Sequence, residues 1–104
     1  MAAYLIALVD VKDPEAYRAY VARSPAVIAK YDGRFLARGG QSVSLEGDAV
    51  AGRIVLIEFP SLEHAKAFYD SPEYQEAKLL REGAAVGRFF AVQGVDQSAA
   101  VPAT

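Results

Sequence analysis

The chain contains no cysteine and no tryptophan, and only one histidine and one methionine. Without cysteine there are no disulfides, thiolate nucleophiles, thioredoxin-type redox steps or thiolate zinc sites. His64 is the only imidazole. An excess of either charge is also missing. Eleven basic and thirteen acidic residues leave a net charge of −2, so no field gathers nucleic acid or an anionic membrane. No uninterrupted apolar run approaches the ~18 residues of a membrane span. The apolar opening from Met1 to Val9 lacks a basic n-region and meets Asp10 too early for a signal segment. The expected location is therefore the cytoplasm, with no nucleic-acid and no membrane partner. Glycine-rich phosphate loops, Gly-x-Ser-x-Gly elbows and histidine-rich metal sets are absent too, and neither a cofactor nor a metal is expected.

What remains is one domain's worth of protein, 104 residues that are 53% hydrophobic. Twenty of these are alanine, so the core must come from six tyrosines and five phenylalanines together with leucine, isoleucine and valine. Tyr4 to Val9 reads as a first strand. Asp13-Pro14-Glu15 supplies an N-cap, a proline at the first helical position and an acid in the first turn. The helix continues through Tyr17, Val21, Ile28 and Tyr31 at helical spacing, and Ser24-Pro25 is expected to kink or restart it. Gly33 is expected to close it as a left-handed residue.

Arg34 to Leu45 reads as an irregular strand broken at Gly39-Gly40, followed by a turn through Gly47, Asp48 and Gly52. The β-branched run Arg53 to Phe59 is the third strand. Ser61 caps a helix carrying Leu62, Ala65, Phe68 and Tyr69, and Ser71-Pro72-Glu73 restarts it to about Ala85. Arg88 to Gly94 is the last strand. Residues 1–94 thus form one domain, and the small, unpatterned residues 95–104 are expected to be a flexible C-terminal tail.

The order β-α-β-β-α-β predicts a ferredoxin-like α+β fold, a four-stranded antiparallel sheet with its helices on one face and the first and third strands central. Both faces of those two strands are apolar: Tyr4, Ile6 and Leu8 alternate with Leu5, Ala7 and Val9, and Ile54 and Leu56 with Val55, Ile57 and Phe59. Helices cover only one face, so the other needs a cover of its own. A second copy of the chain is the smallest one, and a homodimer with sheets face to face is expected.

Several motifs in order, Asp13-Pro14-Glu15 with Tyr17 and Tyr20, Gly33-Arg34 through Arg38-Gly39-Gly40, Leu45-Glu46-Gly47, Glu58-Phe59-Pro60-Ser61, and Tyr69 through Ser71-Pro72-Glu73-Tyr74 to Arg81, resemble the family named domain of unknown function thirteen-thirty. The likeness runs from Tyr4 to Gly94. It implies a place in the dimeric α+β barrel superfamily, whose members include cofactor-free monooxygenases of quinone biosynthesis, muconolactone isomerase and haem-binding relatives. For the family itself it implies no reaction. The chain departs from the pattern where Asp48 and Ala49 follow Glu46-Gly47 without a tryptophan, and where Phe68 stands in place of one.

The candidate chemistry lies in charges that fall on apolar stripes. Glu58 shares a strand face with Ile54 and Leu56, and Arg81 follows Tyr74 and Ala77 on one helical stripe. Arg81 could hold the carboxylate or enolate of a small ligand with Glu58 as base, or the two could be a structural ion pair. Arg34 and Arg38 read as one face of the second strand, either guarding an edge or binding an anion. Arg38 is the stronger ligand candidate because Gly39-Gly40 lets a ligand approach the backbone. Glu46 could cap a turn or reach a pocket. Tyr17, Tyr20, Tyr69 and Tyr74 could line a cavity or simply fill the core.

Two function classes follow from these residues. One is a cofactor-independent monooxygenase or isomerase acting on a small anionic aromatic or keto molecule in a pocket between sheet and helices. The alternative is a non-catalytic binding or assembly module whose buried charges are structural.

Overall fold

A computed structural model describes residues 1–95. Its elements are β1 (Ala3–Val11), α1 (Pro14–Lys30), β2 (Arg34–Arg38), β3 (Arg53–Phe59), α2 (Leu62–Asp70), α3 (Pro72–Leu79) and β4 (Ala85–Gln93). The strands form one antiparallel sheet in the order β2-β3-β1-β4, which is the expected ferredoxin-like arrangement with β1 and β3 in the middle. Apart from Val95, the stretch 95–104 read as a tail lies outside the described residues. No helix among the described residues is long and apolar enough to cross a membrane.

The two faces of the sheet differ in cover. Leu5, Ala7 and Val9 of β1 and Val55, Ile57 and Phe59 of β3 are buried against the helices, where Tyr20, Ile28, Phe68 and Tyr74 close the core. Tyr4, Ile6 and Leu8 with Ile54 and Leu56 point the other way and stay half-buried. Phe90 and Val92 of β4 widen this open apolar face at 48% and 52% exposure.

Helix starts follow the caps written in the sequence. Asp13 accepts from the Ala16 amide at 3.1 Å and Ser61 from the His64 amide at 3.1 Å. Ser71 does two jobs. Its hydroxyl donates to the Phe68 carbonyl at 2.7 Å, ending α2, and accepts from the Tyr74 amide at 3.0 Å, starting α3.

Several local expectations are corrected. The helix does not break at Ser24-Pro25: α1 runs unbroken from Pro14 to Lys30 with Pro25 inside it. The left-handed residue at its end is Asp32, at φ 64°, rather than Gly33. Gly33 is required for a different reason, since a Cβ there would lie 2.6 Å from the Phe59 ring. The second strand stops at Arg38, and residues 39–52 carry no regular structure. Helix α3 ends at Leu79, and a turn through residues 80–84 lets β4 begin at Ala85 rather than Arg88.

The most consequential correction is a bulge in β2. Arg34 pairs with Glu58 and Phe35 with Ile57, but the register then slips so that Ala37 faces Leu56 and Arg38 faces Val55. An extra residue on one strand reverses the alternation beyond it. Arg34 therefore lies on the open face and Arg38 on the helix face, not together on one face.

Candidate functional site

Between α1 and the helix face of the sheet lies a narrow cleft of about 30 Å³, bordered by Tyr17, Tyr20, Ser24, Arg38, Arg53 and Phe89. Two arginines line it, Arg38 and Arg53, and a third, Arg81, packs against its lining residues Tyr20 and Phe89. Arg38, at the end of β2, packs 4.6 Å from the Phe35 ring centre and donates to the Val21 carbonyl at 2.9 Å. Arg53, at the start of β3, lies 5.8 Å from the Tyr17 ring centre. Arg81, in the turn after α3, lies 4.5 Å from the Phe89 ring centre and 5.5 Å from that of Tyr20.

Among the described residues, no acid answers these cations. Lys12 pairs with Asp10, Arg23 with Glu76, Lys30 with Glu73 and Arg34 with Glu58. Among the described residues, none of the ion pairs includes Arg38, Arg53 or Arg81. The Nε atoms of Arg53 and Arg81 are buried and have no hydrogen-bond partner among the described residues. Arg81 itself is only 8% exposed. Among the described residues its one polar side-chain contact is a long donation to the Tyr74 hydroxyl at 3.4 Å. A buried guanidinium with so little compensation is costly to keep.

The tyrosines form the floor. Tyr17 and Tyr20 stack with ring centres 5.3 Å apart, and the Tyr20 and Tyr74 hydroxyls share a hydrogen bond of 2.8 Å. Burial pushes the Tyr17 phenol up, against the opposing fields of Arg53, Arg81 and Arg38. Burial also pushes Tyr20 up strongly, assisted by Tyr74. Both are neutral phenols at physiological pH and serve as hydrogen-bond donors or acceptors, not as anions. Burial works against the charge on Arg81, but the Tyr74 hydroxyl and the fields of Tyr74, Tyr20 and Tyr69 outweigh it, so its pKa moves up.

The structure separates the residues singled out in the sequence into three groups. Tyr17 and Arg38 line the cleft, Arg81 packs behind it on Tyr20 and Phe89, and Tyr74, fully buried, touches the same two rings and shares a hydroxyl hydrogen bond with Tyr20. Tyr69 packs on Tyr74 and lines a separate groove of about 270 Å³ between α2 and β4 with Leu62, Lys66 and Phe90. Glu58 and Glu46 stand elsewhere. Glu58 is on the open face, where it accepts from Arg34 Nε at 2.6 Å, so the sheet lies between it and Arg81 and the two form no pair. Glu46 is exposed in the irregular segment and lines no part of the cleft.

Arg53 is the residue that sequence reasoning missed. It is in phase with Val55, Ile57 and Phe59, and that phase was the available signal. Its guanidinium fills the space above Gly39, at φ +69°, where a Cβ would come within 3.0 Å of it. The small residue thus admits a protein cation rather than leaving a path for a ligand.

Comparison with known proteins places this geometry in context. No curated protein matches the chain. A solved protein of unknown function from Rhodopseudomonas palustris, RPA0582, shares 24% identity and superimposes with a TM-score of 0.72, over 91% of this chain and 83% of that one. SnoaB from Streptomyces nogalater, described as a cofactor-independent oxygenase, has 11% identity and a TM-score of 0.65, over 92% and 95% of the two chains. A dimeric protein of unknown function and ferredoxin-like fold from Bacteroides fragilis has 13% identity and a TM-score of 0.61, over 89% and 96%. At these identities the likeness is one of fold. The sequence match is more specific: over residues 2–95 the chain belongs to DUF1330, a family defined as a domain of unknown function.

Proposed function

We propose that this protein is a homodimer that holds a small anionic molecule, an aromatic or keto acid, beside Arg38, Arg53 and Arg81, with the cleft between α1 and the sheet widening beyond its about 30 Å³ to admit it. The observation that carries this reading is the set of three arginines with no acid among the described residues, beside ion pairs that the other cations make. Their planar forks suit carboxylate and enolate oxygens. The neutral Tyr17 and Tyr20 phenols add donors beside them.

The cleft has no carboxylate or imidazole among its described lining residues. It is suited to stabilising an anion that the ligand itself provides, not to removing a proton with a side-chain base. Stabilising an enolate in a dry site is a requirement of cofactor-independent oxygenation and of keto–enol isomerisation, and the fold shared with SnoaB is consistent with the first. The open sheet face, apolar through Ile6, Leu8, Leu56 and Phe90, supports the homodimer, as does the dimeric Bacteroides fragilis neighbour.

One observation favours the alternative of a non-catalytic module. Arg38 is already held by the Val21 carbonyl and Arg81 by two rings, so part of the cluster serves the fold. Titrating the purified protein with benzoate and with pyruvate, followed by amide chemical shifts, separates the readings. Shifts confined to Tyr17, Tyr20, Arg53 and Arg81, weakened about tenfold by Arg81→Gln, are expected. Their absence with both acids would favour the structural module.

A further inference from the structure

The segment between β2 and β3 is patterned as a strand but pairs with nothing among the described residues. Ser42, Val43, Ser44 and Leu45 alternate polar and apolar side chains, yet residues 39–52 are all exposed, Val43 at 77% and Leu45 at 91%. The ladder with β3 gives out at Gly39, whose amide donates to the Ile54 carbonyl at 2.9 Å. Beyond it the backbone of residues 41–46 makes no backbone hydrogen bond among the described residues, and the Ser44 hydroxyl donates within the segment, to the Gly47 carbonyl at 3.2 Å. An irregular connection this long inside one domain ordinarily has a use. A matching edge lies across the sheet. Strand β4 ends the order β2-β3-β1-β4 and pairs along one side only, with β1. Its residues Ala85–Gln93 include one charge, Arg88, and no lysine, acid or proline to keep another strand away.

We infer that residues 41–46 of one chain add as a strand to the β4 edge of a second copy, and that the exchange is reciprocal. This rests on the homodimer reading and names the element that fastens the pair. The β4 edge is the target because β2, the other edge, is five residues long and is the strand that the segment itself continues. Residues 48–51 border a hollow of about 400 Å³ with Leu8, Val86 and Arg88 of the open face, so the segment departs beside the face that the second copy covers. Charge is complementary as well. Glu46 and Arg88 are both exposed, and neither has an ion pair among the described residues. With Val43 and Leu45 on the side of Phe90 and Val92, the added strand extends the apolar surface that the pair buries. Backbone amides supply the affinity and the alternating side chains fix the face.

The experiment is amide hydrogen exchange on the full chain, at a concentration where sedimentation shows a dimer. Amides in 41–46, and those of β4 that do not bond to β1, are expected to exchange at least about tenfold more slowly than in a free peptide. Ser42→Pro combined with Val43→Pro removes one amide from each side of the added strand and is expected to raise the dimer dissociation constant at least about tenfold. Leu45→Asp, which keeps every amide, should weaken the dimer in the same direction. Free exchange of 41–46 in a dimer, free exchange of the outer β4 amides, or a dissociation constant within about twofold of wild type in the proline variant would each overturn the strand exchange and leave the homodimer reading standing. A wild-type chain that is monomeric at every concentration would remove both.

Discussion

Arg38 donates to the carbonyl of Val21 at 2.9 Å, and Val21 is the residue whose helical partner would be Pro25. Proline has no amide hydrogen and its ring crowds the carbonyl four residues back, which is why a mid-helix proline ordinarily bends or ends a helix. Here the missing donor comes from β2. The bulge that turns Arg38 to the helix face is what brings it within reach, so a strand irregularity and a helix irregularity compensate each other.

That compensation is testable by a double-mutant cycle. Arg38→Ala leaves the Val21 carbonyl without its donor and is expected to destabilise the fold by about 1 kcal/mol. In a Pro25→Ala background the helix supplies its own amide, and the same change is expected to cost less than half as much. Denaturant midpoints of the four proteins decide it. Equal costs in both backgrounds would show that the contact does not replace the helical bond.

A cation kept for a ligand should be a burden to the empty protein. Arg81→Met, which keeps the stem packed on Phe89 and removes the charge, is expected to leave the ligand-free protein as stable as before or more stable by about 1 kcal/mol. Because Glu58 lies across the sheet, Glu58→Gln combined with Arg81→Met should give a stability change equal to the sum of the two within about 0.5 kcal/mol. Partial rescue of one change by the other would restore the structural ion pair as the explanation of both charges.

The buried phenols predict an alkaline limit. Tyr17 and Tyr20 hold their protons to higher pH in the folded chain than in the unfolded one, chiefly because burial disfavours phenolate. The stabilisation this gives is complete below the ordinary tyrosine value of about 10 and declines as pH rises above it. Unfolding curves are therefore expected to be flat from about pH 7 to 9 and to shift to lower denaturant above about pH 10. Tyr20→Phe should shallow that decline. A slope unchanged in the variant would assign the alkaline loss to other groups.

The open sheet face predicts assembly. Light scattering at low micromolar concentration is expected to give twice the 11.1 kDa of the chain, with more than about 1,500 Å² buried in the pair. Phe90→Glu, at a position 48% exposed on that face, should produce the monomer without loss of helical signal. A wild-type mass of one chain would require another cover for Ile6, Leu8 and Leu56.

Strand order was legible because β-branched alternation, two cap-and-proline signals and the β-α-β-β-α-β sequence leave few topologies. Which side of each strand met the helices was not. With Leu5, Ala7 and Val9 about as apolar as Tyr4, Ile6 and Leu8, alternation separates the faces without labelling them. That ambiguity placed Glu58 with Arg81, although the bulky run Val55, Ile57 and Phe59 pointed to Arg53 as the buried charge on β3. The bulge at Leu36 had no local signature. It exists through pairing with β3, a contact across the sheet that no stretch of β2 encodes by itself. Pro25 misled for the same reason, since its substitute donor is distant in sequence.

The double use of Ser71 has a consequence for how the molecule opens. Helices of nine and eight residues are too short to persist alone. One hydroxyl ties the last turn of α2 to the first of α3, so the two should exchange their amide hydrogens as one cooperative unit. Tyr74 sits one turn past that joint and its hydroxyl meets Tyr20 and Arg81. Transient release of the α2–α3 corner would therefore free the Tyr74 hydroxyl from Tyr20 and Arg81 and loosen the cleft floor.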